Sequence, residues 1–101
     1  MEKWARAARA SEIPSGSGRT VELEGRKIAI FNLGGRFYAL DDTCPHRGGP
    51  LGEGSLDGNL VTCPWHGWQY DVTTGAHARN PDIRIRSYPS KVENGEVFVA
   101  V

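Results

Sequence analysis

Two short mixed pairs, Cys44-Pro45-His46 and Cys63-Pro64-Trp65-His66, lie sixteen residues apart and use both cysteines and two of the three histidines in the chain. Thiolate and imidazole are good metal ligands, and the count points to one metal centre with two of each. The order within the pairs carries more information than the count. Zinc modules with two Cys and two His usually place the two Cys at one knuckle and the two His at the other. Here each segment offers one Cys and then one His, so two loops lying side by side can deliver both thiolates to one metal ion and both imidazoles to its neighbour. Two plainer readings use the same residues: a Cys44 to Cys63 disulfide, and a zinc site that stabilises a non-redox interaction module. Against the disulfide, Met1-Glu2-Lys3-Trp4-Ala5-Arg6 has no apolar core of a secretory signal. Disulfides are rare in the cytoplasm, where the protein is expected to reside.

With its flanks C-P-H-R-G-G-P-L and C-P-W-H-G-W-Q-Y-D, the pattern resembles that of Rieske-type ferredoxins. The resemblance spans the chain and is strongest from Ala39 to Gly75. It extends to the ferredoxin components of ring-hydroxylating dioxygenases and to the small subunits of assimilatory nitrite reductases. It implies a Rieske 2Fe-2S cluster, in which His replaces Cys on one of the two irons, with Cys44, His46, Cys63 and His66 as ligands. It also implies an all-β fold: an antiparallel β sandwich or barrel base with an inserted, loop-rich cluster-binding subdomain. High-potential respiratory Rieske proteins carry an extra Cys in each loop, joined as a disulfide, and Gly49 and Trp65 stand at the matching positions here. Their cluster-facing Ser is matched by Trp68, and their nearby Tyr by Tyr70. Both imidazole edges are implied to lie at an exposed tip. Pro45, Leu51, Pro64 and Trp65 would form an apolar collar there, with Arg47, Glu53 and Arg79 orienting a partner.

At 101 residues and 11.0 kDa the chain fits a single domain. Twelve basic and twelve acidic side chains cancel. With no basic stripe, nucleic acid is not an expected partner. No apolar run approaches the eighteen or more residues of a membrane span.

The elements that must hold the pairs read as short strands broken by turns. Val21 and Leu23 alternate with charged residues. Ala29, Phe31 and Leu33 alternate with Ile28, Ile30 and Asn32, and Gly34-Gly35 then turns the chain into Arg36-Phe37-Tyr38-Ala39-Leu40. Glu24-Gly25 offers another turn, and Asn94-Gly95 between Val92 and Val97 is the strongest hairpin signal. Val97 to Val101 reads as a final buried strand. Ile83 and Ile85, alternating with Arg84 and Arg86, read as a strand with one charged face. Trp4 to Arg9 is ambiguous, since Ala and Arg favour helix, but the resemblance implies an opening strand. Ser11 to Pro14 reads as a turn and Ser15-Gly16-Ser17-Gly18 as a flexible connection. From about residue 41 to 80 the composition turns Gly-rich with few strand-like runs. The chain therefore divides into a base (1–40 and 81–101) and a cluster-binding cap (41–80) with little core of its own. Gly48, Gly49, Gly52 and Gly67 would let backbone N–H groups approach the cluster sulfurs. The spare His77, among small and polar neighbours, reads as a solvated loop residue.

The resemblance implies a soluble electron carrier, passing one electron from a separate NAD(P)H-dependent reductase to a terminal oxygenase. A small carrier that docks two partners in turn is expected to be a monomer. The alternative of a different class is a fixed subunit held by a nitrite reductase large subunit. A non-haem iron oxygenase site needs two further His and a carboxylate. Only His77 remains, so these residues are expected to carry electrons and not to catalyse oxygenation. Exchanging two thiolates for neutral imidazoles raises the potential above that of a four-Cys cluster, whereas the missing disulfide and hydroxyl donor lower it within the Rieske range. A midpoint of about −150 mV is expected by protein-film voltammetry, and a value well above zero would contradict this reasoning.

Overall fold

Ile28, Ala29, Ile30 and Phe31 are successive residues of one strand and all four are completely buried. Successive side chains of a strand point to opposite faces, so this strand has a core on each side. Ile28 and Ile30 pack with Ala8, Ile13, Leu23, Ala39, Tyr88, Val97 and Val99. Ala29 and Phe31 pack with Leu40, Leu51, Val61, Cys63, Tyr70, Val72 and Ile85. A continuous apolar run is what burial on both faces demands.

The computed structural model describes residues 3–43, 49–65 and 67–101. Ten strands run through them: β1 (Trp4–Arg9), β2 (Ser17–Leu23), β3 (Arg26–Leu33), β4 (Arg36–Asp41), β5 (Ser55–Asp57), β6 (Leu60–Thr62), β7 (Gln69–Asp71), β8 (Ser87–Tyr88), β9 (Ser90–Glu93) and β10 (Glu96–Ala100). They form three antiparallel sheets in the orders β1-β10-β9, β2-β3-β4-β8 and β5-β6-β7. The only helical pieces among the described residues are single 3-10 turns at Ala10–Glu12 and Leu51–Glu53. The all-β expectation is thus met, and no described helix is long and apolar enough to cross a membrane. Trp4–Arg9 is a strand despite its helical propensity, because it pairs along β10 from Trp4↔Ala100 to Arg9↔Glu96. The Asn94-Gly95 turn closes β9 onto β10 with positive φ at both positions, 52° and 75°, as a type I′ hairpin requires.

Three readings of the sequence need correction. Residues 15–18 are not a free connection: Ser17 and Gly18 begin β2, and Gly18 lies so close to Phe31 that an added Cβ would sit 2.7 Å from its Cε1. Residues 83–86 keep the expected alternation, with Ile85 buried and Arg84 and Arg86 exposed, but they form no base strand. Their backbone instead bonds the bent segment around Gly75 and His77, through His77 N–H to Ile83 O (2.8 Å) and Ile85 N–H to Gly75 O (2.8 Å). The segment 41–80 carries its own three-stranded sheet and shares a core with β3 and β4. Its strands are three residues each, too short for periodicity to reveal them.

Because β3 feeds both cores, the two should melt together. Phe31→Ala is expected to cost about 3–5 kcal/mol and Ile30→Ala about 2–5 kcal/mol. Each should shift one urea transition that probes in residues 55–71 and in β10 report alike; two separated transitions would contradict the shared-strand account.

Candidate metal centre

Of the four expected ligands, Cys44, His46 and His66 lie outside the described residues. Cys63 is described and is 1% exposed. What can be built from the residues upward is the frame that holds both ligand loops.

The first loop leaves β4 and returns through Pro50, and an antiparallel bridge between Thr43 and Pro50 brings its two ends together. Asp42 locks that closure. Its backbone N–H donates to Lys27 O (3.1 Å), and its carbonyl accepts from Leu51 N–H (2.7 Å). Its side chain is buried, with Oδ1 accepting from the Thr20 hydroxyl (2.8 Å) and from Gly52 N–H (2.8 Å). Both ends of the loop are thereby fixed to β2 and β3. Gly52 permits this seating, since a Cβ there would lie 2.6 Å from Thr20 N. The Gly52 N–H is spent on Asp42, so its part is to dock the 3-10 turn on β2 and not to approach a cluster sulfur.

The second loop joins β6 to β7. Cys63 N–H donates to Trp68 O (2.8 Å) and Gly67 N–H donates back to Cys63 O (3.1 Å), while Gln69 Nε2 donates to Thr62 Oγ1 (3.2 Å). These bonds close a short loop around position 66. The two loops meet at Gly49, where an added Cβ would lie 2.7 Å from Cys63 Sγ and 3.3 Å from Trp65 Cβ. Only a glycine fits so close to the thiol. The positions matched by resemblance to the respiratory disulfide are therefore true neighbours, joined here by packing.

Trp65 is 63% exposed and Pro64 is exposed beside it, as the collar reading expects. Leu51 departs from that reading: it is fully buried in the core beneath the loops, because the 3-10 turn faces it inward against β3. Trp68 is half-buried against the same core and Tyr70 is fully buried. Glu53 and Arg79 are exposed, while Pro45, Arg47 and Gly48 lie outside the described residues. A groove of about 460 Å³ runs beside the second loop, lined by Gly67, Trp68, His77, Arg79, Asn80 and Ile83, among others. His77 is not a solvated loop residue. Its Nδ1 accepts from the N–H groups of Arg79 (3.1 Å) and Asn80 (3.2 Å), and its ring meets Trp68 and Tyr70 edge-on. Close to the Asp42 clamp, the Tyr88 hydroxyl donates to Asp41 Oδ1 (2.5 Å); burial, and then that bond, push its pKa up and keep it a donor.

Sequence reasoning missed Asp42. The acidic pair Asp41-Asp42 at a strand end was its only signal, and its partners are twenty-two residues before and ten after it.

The Rieske [2Fe-2S] domain model matches residues 3–89. The chain belongs to the Rieske family. Ferredoxin CarAc of Metapseudomonas resinovorans is 37% identical over 99 residues, covering 96% of this chain and 92% of its own. A solved complex of reduced oxygenase and oxidised ferredoxin in carbazole 1,9a-dioxygenase contains a chain that superposes with a TM-score of 0.87 at 37% identity, covering 96% and 92%. A putative NADH-dependent nitrite reductase small subunit from Mycobacterium tuberculosis superposes at 0.91 but is 24% identical, over 100% and 96% of the chains, a likeness of fold alone. The cofactor of this Rieske domain is a 2Fe-2S cluster, and the residues present fit it. A buried thiol on one closed loop faces a glycine cradle on the other, and the sequence adds one Cys and two His within the two loops.

If the Asp42 clamp fixes the first loop, Asp42→Ala should destabilise the protein by about 2–3 kcal/mol, since it strands a hydroxyl and a buried N–H. Thr20→Val should cost about 1 kcal/mol. Urea denaturation measures both; Asp42→Ala should also lower the iron content per chain, whereas Thr20→Val should leave it near wild type.

Proposed function

We propose that this Rieske protein is a one-electron carrier between a separate NAD(P)H-dependent reductase and a terminal oxygenase, a redox component and not itself the catalyst. Cys44 and Cys63 hold one iron, and His46 and His66 the other. Residues 41–80 form the cluster-binding cap on a base of residues 1–40 and 81–101. The protein works as a cytoplasmic monomer that docks its partners in turn.

The observation that carries this reading is the apposition of Gly49 on the buried Cys63 thiol directly beside the exposed Trp65. When bound, the cluster supplies reversible one-electron chemistry. The chain's own residues do the rest. Leu51, Val61, Tyr70 and Val72 keep water from the Cys63 side of the loops. The two backbone closures at Asp42 and Cys63 hold the loops in one arrangement, so little of the frame need move when an electron arrives. Pro64 and Trp65 present an apolar apex, and exposed aromatics of this kind are the usual anchors of protein interfaces. Support for the oxygenase as acceptor comes from the relative of 37% identity, matched over 92% of its chain, in a solved complex of oxygenase and ferredoxin.

The test is spectroscopic and kinetic. The reduced, anaerobically prepared protein should give the EPR signal of a Rieske centre, and His66→Ala should abolish it. The reduced protein should bind an oxygenase reversibly and be reoxidised by it. Trp65→Ala should weaken that binding by about 2 kcal/mol, roughly thirtyfold, while leaving the midpoint potential unchanged. A colourless protein with stoichiometric zinc would overturn the assignment, and stable co-purification with a large sirohaem enzyme would move it to the nitrite reductase class.

A further inference from the structure

The proposed ligand loop 63–68 is closed on the side of Trp68, whose carbonyl accepts from Cys63 N–H. Against Trp68 stands His77, with ring centroids 4.7 Å apart and planes at 90°. The same imidazole meets Tyr70 of β7 at 5.3 Å and 84°. Such edge-on ring pairs are directional contacts. The orientation of the ring is itself fixed, because Nδ1 accepts from two consecutive backbone N–H groups, those of Arg79 and Asn80. The backbone on either side is tied down as well: His77 N–H donates to Ile83 O and Ala78 N–H to Gln69 O, both at 2.8 Å, and Tyr70 bridges His77. One side chain therefore joins the 77–83 limb to the two aromatics that flank the base of the loop.

We infer that His77 is a positioning residue for electron transfer. Its ring holds Trp68 and Tyr70, and through the Trp68 carbonyl it holds the Cys63 backbone, in the arrangement that sets the potential of the centre. The 79–80 turn serves to aim the ring. This rests on the assignment of residues 63–66 as the second ligand segment. Hydrogen bonding and water access around a cluster are the properties through which a protein tunes its potential, and both follow the position of Trp68.

Three variants of the loaded protein separate the ring from the turn. His77→Asn keeps an acceptor for the turn and loses the ring; His77→Phe keeps an aromatic edge and loses the acceptor; His77→Leu loses both. The readouts are the midpoint potential, the EPR g-values of the reduced protein, and amide exchange at Arg79 and Asn80. His77→Asn and His77→Leu should change the equilibrium constant for reduction at least threefold, about 28 mV at 59 mV per tenfold for one electron, and should alter the g-values. His77→Phe should stay closer to wild type even though exchange at Arg79 and Asn80 accelerates in it. Should His77→Asn fail to retain the cluster, the Phe and Leu pair, which differ in the ring alone, decides the matter. Equal shifts in Phe and Leu, or no shift in any variant, would overturn the inference while a wild-type Rieske signal leaves the carrier function standing. A wild-type protein without that signal would remove both.

Discussion

The buried Asp42 side chain is the constraint on which the ligand frame depends. A carboxyl group taken from water costs free energy unless hydrogen bonds replace those it loses, and here a hydroxyl from β2 and an N–H from the returning chain do so. The consequence is geometric. Strand β4 ends, the chain departs for the first loop, and ten residues later it is captured by the same side chain at Gly52. The loop between is thereby anchored at both ends to β2 and to β3, whose middle is completely buried. A hydrophobic contact at this position would be less selective, because packing tolerates small slides that a two-point hydrogen bond does not.

Below the clamp, the division of labour within β3 explains how a chain of 101 residues supports a loop-rich site. Small proteins bury a limited fraction of their surface, and two independent cores would leave each marginal. Placing Ile28 and Ile30 on one side and Ala29 and Phe31 on the other lets a single strand serve both. The site half thus borrows rigidity from a sheet whose strands contain none of the candidate ligands.

What the sequence disclosed was local, and what it concealed was long-range. The four candidate ligands, the turns at Glu24-Gly25, Gly34-Gly35 and Asn94-Gly95, and the buried strand ending in Ala100 all announce themselves through neighbours in the chain. Of the four residues expected as ligands, the described ones include Cys63 alone, and its side chain is buried. The sheet of β5 to β7 was hidden because three-residue strands have no measurable period. Leu51 was misplaced at the tip because its burial depends on the 3-10 turn being docked on β2. His77 reads as solvated in the sequence because the groups it serves, Trp68, Tyr70 and the amides of residues 79 and 80, are brought to it by the return of the 83–85 limb. Propensity and spacing cannot see partners that only the folded chain supplies.

The contact of Gly49 with Cys63 and Trp65 has a consequence for where such a protein can work. Where two loops are joined by a covalent sulfur bridge, the join is exposed to thiol exchange and its integrity follows the redox poise of the compartment. Glycine and tryptophan offer no sulfur at these positions, and their contact has no reduction potential. The packing of Gly49 against Trp65 is therefore indifferent to surrounding glutathione, and the placement it sets persists whether the compartment is reducing or oxidising.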